Sequence, residues 1–196
     1  MVASLLAPPD RLTLSDGSSV DVRPIEARDR TGLAAAFTRL SPESRHRRFG
    51  TPKPRLSASE LTFLTDVDHH HHEALVAIDP ATGRGVAVAR YVAFPQDPAM
   101  ADVALTVDDG WQGRGLGTAL SELLLGRASA EGLDRLHATV GGDNALALAV
   151  ARRLGYEVCS ARSGSVELER GTRARSVRGG CSGSRRPKGK PAPARR

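Results

Sequence analysis

Cysteine is scarce in this chain: Cys159 and Cys181 are the only two among 196 residues. Cys159 falls in an expected strand and Cys181 near the carboxyl end. Their spacing therefore shows no disulfide framework and no metal motif. Aromatic residues make up only 4%, but valine, leucine and alanine are plentiful enough for a core. No apolar run approaches the ~20 residues of a membrane-crossing helix. Residues 1–7 are apolar, yet the stretch is short and lacks a basic start, so no signal peptide is expected. The expectation is a cytoplasmic protein that does not touch a membrane.

Acid is missing from one region. Residues 171–196 hold nine Lys/Arg and no Asp or Glu, which accounts for more than the whole formal charge of +6. The remainder carries 19 basic and 22 acidic residues, a charge of −3. The high pI therefore gives no reason to expect a basic face on the folded part. Any contact with nucleic acid would fall to the tail. Its Arg, Gly, Ser and Pro content predicts disorder from residue 171 onward. Three regions follow: a loose amino terminus over 1–10, one domain over 11–170, and the basic tail over 171–196.

What the chain does have is a glycine-rich turn, Asp109-Gly110-Trp111-Gln112-Gly113-Arg114-Gly115-Leu116-Gly117-Thr118. An apolar run, 103–107, precedes it and reads as a strand. A helical pattern follows, with Leu116, Leu120, Leu123 and Leu124 on one face. A strand, a glycine turn and a helix start aim unpaired N–H groups and a helix dipole at one point, where an anion can sit. Gly115 and Gly117 would let a ligand approach the backbone without a Cβ in the way. A Walker loop would end in Gly-Lys-Ser/Thr, and Gly117-Thr118-Ala119 has no lysine. A dinucleotide fingerprint would need a third glycine where Thr118 stands.

The spacing Gln112-x-x-Gly115-x-Gly117 resembles the acetyl-CoA pyrophosphate loop of the GNAT superfamily of N-acetyltransferases. The stretch from Asn144 to Tyr156 is similar to the segment that closes the core of that family. A narrower resemblance covers residues 40–49, Val67-Asp68-His69-His70 and Ala87-Val88-Ala89-Arg90-Tyr91. These look like the acetyltransferase domain of bacterial protein-lysine acetyltransferases, often fused to a second domain; this chain has room only for the acetyltransferase domain. The resemblance implies a GNAT-like α/β fold: a mixed, mostly antiparallel sheet with helices on both faces. It also implies acetyl transfer from acetyl-CoA to a primary amine, either a protein lysine or a small molecule. A non-catalytic acetyl-CoA sensor is the alternative.

Elements can be placed along the chain. Asp16-Gly17 reads as a hairpin turn between strands at 12–14 and 20–25. A helix is expected over 28–40. A second, over 42–49, has Ser41 as N-cap and Pro42 at its first position, and carries Arg45, Arg47 and Arg48. A third starts at Ser57 with a capping box to Glu60. Strands are expected over 74–78, 85–94 and 101–107, with a loop at 96–98. A helix over 115–131 and a strand over 136–140 come next. Asp143 is expected to cap a helix running to 154, and strands over 156–160 and 165–169 complete the domain.

Amine acetylation sets chemical demands. A lysine amine has a reference pKa of about 10.4, so a base must take its proton. The resemblance puts a glutamate near the start of the strand before the glycine loop, and here that position is Asp102. Asp102 reads either as that base, acting through a water, or as a solvent-facing strand carboxylate. Glu73 on a neighbouring strand is the reserve. The thioester oxygen needs aimed donors, and the resemblance places them on the backbone of Leu105, Thr106 and Val107. Gln112, Gly113, Arg114, Gly115, Leu116, Gly117 and Thr118 would hold the pyrophosphate. Asn144 reads either as a ligand of the cofactor arm or as a helix-start residue. The tyrosine with which many relatives protonate the leaving thiolate is replaced by Ala151, and Tyr156 reads as core packing. The run His69 to His72 invites a metal, but adjacent residues rarely point at one ion, so a polar loop and no metal are expected.

Overall fold

The computed structural model describes residues 10–162 and 164–172. Within them one sheet of eight strands runs in the order β1-β2-β3-β4-β5-β6-β8-β7. The strands are β1 Asp10–Thr13, β2 Ser19–Pro24, β3 His72–Ile78, β4 Gly85–Phe94, β5 Asp97–Val107, β6 Arg135–Gly141, β7 Glu157–Arg162 and β8 Ser165–Gly171. The helices are α1 Arg30–Arg39, α2 Pro42–Phe49, α3 Ala58–Thr65, α4 Leu116–Ala130 and α5 Ala145–Arg153. Every pairing is antiparallel except β5 with β6. That parallel join is short: Met100↔Arg135, Ala101↔Leu136 and Asp102↔His137. Beyond Asp102 the two strands diverge.

Local chemistry fixes the helix ends. The Ser41 hydroxyl accepts from Ser44 N at 3.1 Å, with Pro42 at the first position. Ser57 and Glu60 make the reciprocal capping box, a device in which the cap is worth about 1 kcal/mol. Asn144, not Asp143, caps α5: its Oδ1 accepts from Ala147 N at 3.1 Å. The expected loop at 96–98 shrinks to a tight turn, because β5 begins at Asp97 and lengthens the β4–β5 ladder. At the far end β8 continues through Gly171, and Thr172 is buried against Asp134 and Leu133. Folded structure thus passes the expected boundary at 170. The rest of the tail and the amino-terminal residues 1–9 lie outside the described residues.

Side chains alternate across the sheet, so register assigns each residue a face. One face carries Leu75, Ala89, Tyr91, Leu105 and Leu136, and α4 packs on it. Leu116, Leu120 and Leu124 of α4 are each about 1% exposed or less. Burial of a leucine contributes roughly 1.5–3 kcal/mol, so this stripe anchors the strand, loop and helix as one unit. The other face carries Ala74, Val76 and Val88, covered by Ile25 and Leu33. It also carries a polar row, His72↔Val92↔Asp102↔His137, and beside it Arg90 opposite Ala104.

Candidate active site

The gap between β5 and β6 opens into a cavity of about 570 Å³. Its walls come from β5, the glycine loop, the start of α4, α5, and α2 with α3. Asp108 N donates to Val86 O at 2.8 Å. By the alternation of an antiparallel ladder, Ala104 and Thr106 turn their backbone groups to β4, while Leu105 and Val107 turn theirs to the gap. The Val107 carbonyl agrees with this, accepting from Gln112 Nε2 at 3.2 Å. Thr106 does not share the backbone role expected of it: its N–H faces β4, and its side chain lines the cavity instead.

At the mouth of the gap the backbone is unsatisfied in one place. Among the described residues, no N–H from Gly113 to Thr118 donates a hydrogen bond; the next, Ala119 N, reaches Gly115 O at 3.1 Å. Gly113 and Gly115 sit at φ of 76° and 86°, a left-handed conformation that side chains rarely adopt. Gly117 is needed for a different reason from the one expected. A Cβ there would lie 3.1 Å from Leu105 Cδ2 and 3.8 Å from Val107 Cγ2. Its missing side chain lets α4 pack on β5 rather than leaving room for a ligand.

Several loop side chains hold the loop itself. Gln112 Nε2 reaches Val107 O, Ser44 Oγ and Asp109 Oδ1. Asp109 accepts from Ser41 and Ser44, joining the loop to α2. Burial alone would raise the Asp109 pKa, but the Ser44 and Ser41 donors outweigh it and hold the carboxylate low. Arg114 lies over the Trp111 ring at 5.0 Å and pairs with Asp16 at 3.3 Å. The Ser15 hydroxyl donates to Arg114 O at 2.9 Å. The Leu116 side chain belongs to the core. Thr118 and Asn144 line the cavity.

Asp102 lines the same cavity, and its Oδ1 lies 3.1 Å from His137 Nδ1. Sequence reasoning misses His137. The alternation of Leu136, Ala138 and Val140 places it on the opposite face, but nothing local to β6 shows which strand it meets. Tyr156 also lines the cavity, and burial pushes its hydroxyl well above the usual tyrosine range. It is thus a protonated group facing the site, not only core packing. Ala151 is 7% exposed and supplies no donor.

Glu73 is not brought to the cavity. It lies on the α4 face of the sheet, 2% exposed, where it accepts from Ala74 N and Arg127 and meets His69 Nδ1. A carboxylate held by three partners behind the sheet cannot reach an acceptor on the other side. The other histidines of the run each take a separate partner: His70 meets Glu131, His71 meets Asp68 and His72 meets Arg90. Among the described residues no group of three or more His, Cys, Asp or Glu is placed to hold a metal ion. No helix among them is long and apolar enough to cross a membrane.

The profile of the Acetyltransferase (GNAT) family matches residues 36–156. Over 116 residues the chain is 36% identical to the acetyltransferase Pat of Mycolicibacterium smegmatis, covering 59% of this chain and 34% of that protein. The match thus spans about a third of that relative's length. Over 134 residues the chain is 31% identical to an acetyltransferase of Pseudomonas aeruginosa, covering 67% of this chain and 72% of the relative. The crystal structure of the GNAT domain of S. lividans PAT superposes with a TM-score of 0.76 at 32% identity, covering 83% of this chain and 96% of that one.

Proposed function

The chain belongs to the GNAT acetyltransferase family, and from that premise we propose that it moves an acetyl group from acetyl-CoA to a protein lysine. GNAT acetyltransferases use acetyl-CoA. The observation that carries the reading is the run of free N–H groups from Gly113 to Thr118, beside a cavity that also holds Asp102. Backbone donors at the start of a 15-residue helix suit a pyrophosphate. The pantetheine arm would lie in the gap along β5, where it can pair with the backbone of Leu105 and Val107 as a strand would. One of those N–H groups would stabilise the oxyanion.

Asp102 takes the proton of the acceptor amine, directly or through one water. His137 positions the carboxylate from the neighbouring strand. The amine attacks the thioester carbon, the C–S bond breaks, and CoA leaves as a thiolate whose reference pKa of about 8.5 makes it a fair leaving group. Tyr156 is a proton donor facing the same cavity. The likeness to the S. lividans PAT domain and to the mycobacterial Pat supports a protein lysine over a small amine. The test is thiol release from acetyl-CoA with lysine peptides and with small amines, followed by mass spectrometry of the acceptors. Acetylated peptides are the expected result. Turnover confined to small amines overturns the lysine reading, and tight acetyl-CoA binding with no turnover favours a sensor.

A further inference from the structure

Two arginines stand in this site, and among the described residues no carboxylate hydrogen-bonds either of them. Arg48 on α2 and Arg90 on β4 both line the main cavity, and both also line a smaller one of about 150 Å³ beneath α1. They therefore stand where the two cavities adjoin. Arg45 and Arg47, on the same helix as Arg48, are both engaged: Arg45 donates to Leu40 O at 3.0 Å, and Arg47 pairs with Glu43 at 2.5 Å. Arg48 makes no hydrogen bond or ion pair among the described residues, and its guanidinium lies over the Phe49 ring at 4.9 Å. Arg90 is 4% exposed. It donates to Leu64 O at 3.0 Å and reaches His72 Nε2 at 3.1 Å, both uncharged partners. Burial, then the charge of Arg48, pushes Arg90 down to about 9, so it remains a cation at neutral pH.

Arg90 is buried and Arg48 half-buried, and a buried cation without a bonded anion is costly unless a ligand supplies one. The Asp102 carboxylate is close enough for its charge to act on Arg48, but it hydrogen-bonds His137 and neither arginine. Resting on the reading that the acceptor is a protein lysine, the acceptor cannot supply the anion either, because a lysine arrives as a hydrocarbon stem carrying its own positive charge. The donor remains.

The geometry points to a carboxylate subsite, formed by Arg48 and Arg90, that takes the terminal carboxylate of a dicarboxylic acyl group carried on CoA. Arg90 stands opposite Ala104, one residue from the gap-facing backbone of Leu105 and on the same sheet face as Asp102. A carboxylate two methylenes beyond a thioester carbonyl reaches about one strand spacing, roughly 4.8 Å. A guanidinium fork matches a carboxylate in two parallel bonds. The transfer itself is unchanged: the lysine nitrogen bonds to the thioester carbon, the C–S bond breaks, the amine proton passes to Asp102, and the distal carboxylate stays intact.

Calorimetry with succinyl-CoA and butyryl-CoA, thioesters of equal chain length, needs no acceptor and so tests this apart from the lysine reading. Succinyl-CoA is expected to bind about tenfold tighter or more, the effect of charge-assisted bonds. Arg48→Met should abolish that preference by weakening succinyl-CoA far more than butyryl-CoA. Arg90→Lys, which keeps a cation, should weaken the preference without erasing it. Equal affinity for the two thioesters overturns the subsite, and so does an Arg48→Met loss that is the same for both. If the thioesters bind equally but a free α-amino acid is acetylated in preference to its amide, the anion belongs to the acceptor, and the lysine reading falls as well. If the preference holds while no peptide is acylated by either donor, only the lysine reading fails.

Discussion

The two ends of the cavity are made of different material. The end toward the glycine loop is backbone: free N–H groups from Gly113 to Thr118 and the gap-facing edge of β5. The end toward α2 is side chain: Asp102, Arg48 and Arg90, from two strands and a helix, with His137 bonded to Asp102 from a third strand. Backbone can serve any member of a family that binds the same cofactor, whatever its side chains. Side chains must be chosen for each acceptor and acyl group. On the proposed reading the loop end holds the cofactor, and the α2 end selects the acceptor and the acyl group.

The largest effect should come from the side-chain end. Asp102→Ala is expected to lower kcat/KM by about 10²–10⁴, the usual range for losing a general base. The loss should shrink as pH rises toward the pKa of the acceptor amine, because more of the amine then arrives unprotonated. Acetyl-CoA affinity should hold, and Asp102→Glu should keep substantial activity. A pH–rate profile decides it: a loss of the same size at every pH would make Asp102 a structural residue.

The backbone end is expected to respond in the opposite way, strongly to an added Cβ and weakly to a lost side chain. Gly115→Val forces a branched residue into the left-handed region, at a cost of roughly 1–2 kcal/mol, and should weaken acetyl-CoA about tenfold or more. Arg114→Ala loses a surface pair with Asp16, worth about 0–1 kcal/mol, and its contact over the Trp111 ring, and should change affinity little. Calorimetry on folded variants would reverse the comparison if Arg114→Ala proved the more damaging.

A smaller effect separates the ends by pH. Burial, and then Arg90, pushes the His72 pKa down from 6.5 to about 4, so the ring is neutral in the fold. Between those values the unfolded chain binds a proton that the folded chain does not, and stability rises with pH there. The contribution is complete above pH 6.5 and is lost as pH falls toward 4. The melting temperature of the parent should therefore fall between pH 6.5 and 5 more steeply than that of His72→Gln, whose amide oxygen can still accept from Arg90. Equal slopes would take His72 out of the account.

The same division explains which features are legible in the sequence. Glycine spacing, an N-cap serine ahead of proline and the capping box at Ser57 are local signals, and α2 occupies its expected residues. The loop is legible because a left-handed φ and a helix start are written in consecutive residues. Asp102 is placed by resemblance, but its partner His137 lies 35 positions away and meets it only through a parallel pairing of three residues. Glu73 fails as the reserve because one position of register decides which side of a sheet a residue faces. The meeting of Arg48 with Arg90 has the same character: one lies on α2, the other on β4, and no local pattern joins them.

The brief join between β5 and β6 has a mechanical consequence. By hydrogen bonding the strands form a single sheet, but as a solid body they are two plates, β1 through β5 and β6 with β8 and β7, riveted at one corner. Leu136 and α4 stiffen that corner from below, in the same apolar cluster. Compliance is therefore concentrated at the opposite edge, where the plates already diverge. A long, thin molecule can be laid into such an open edge sideways, with no need to thread it end first.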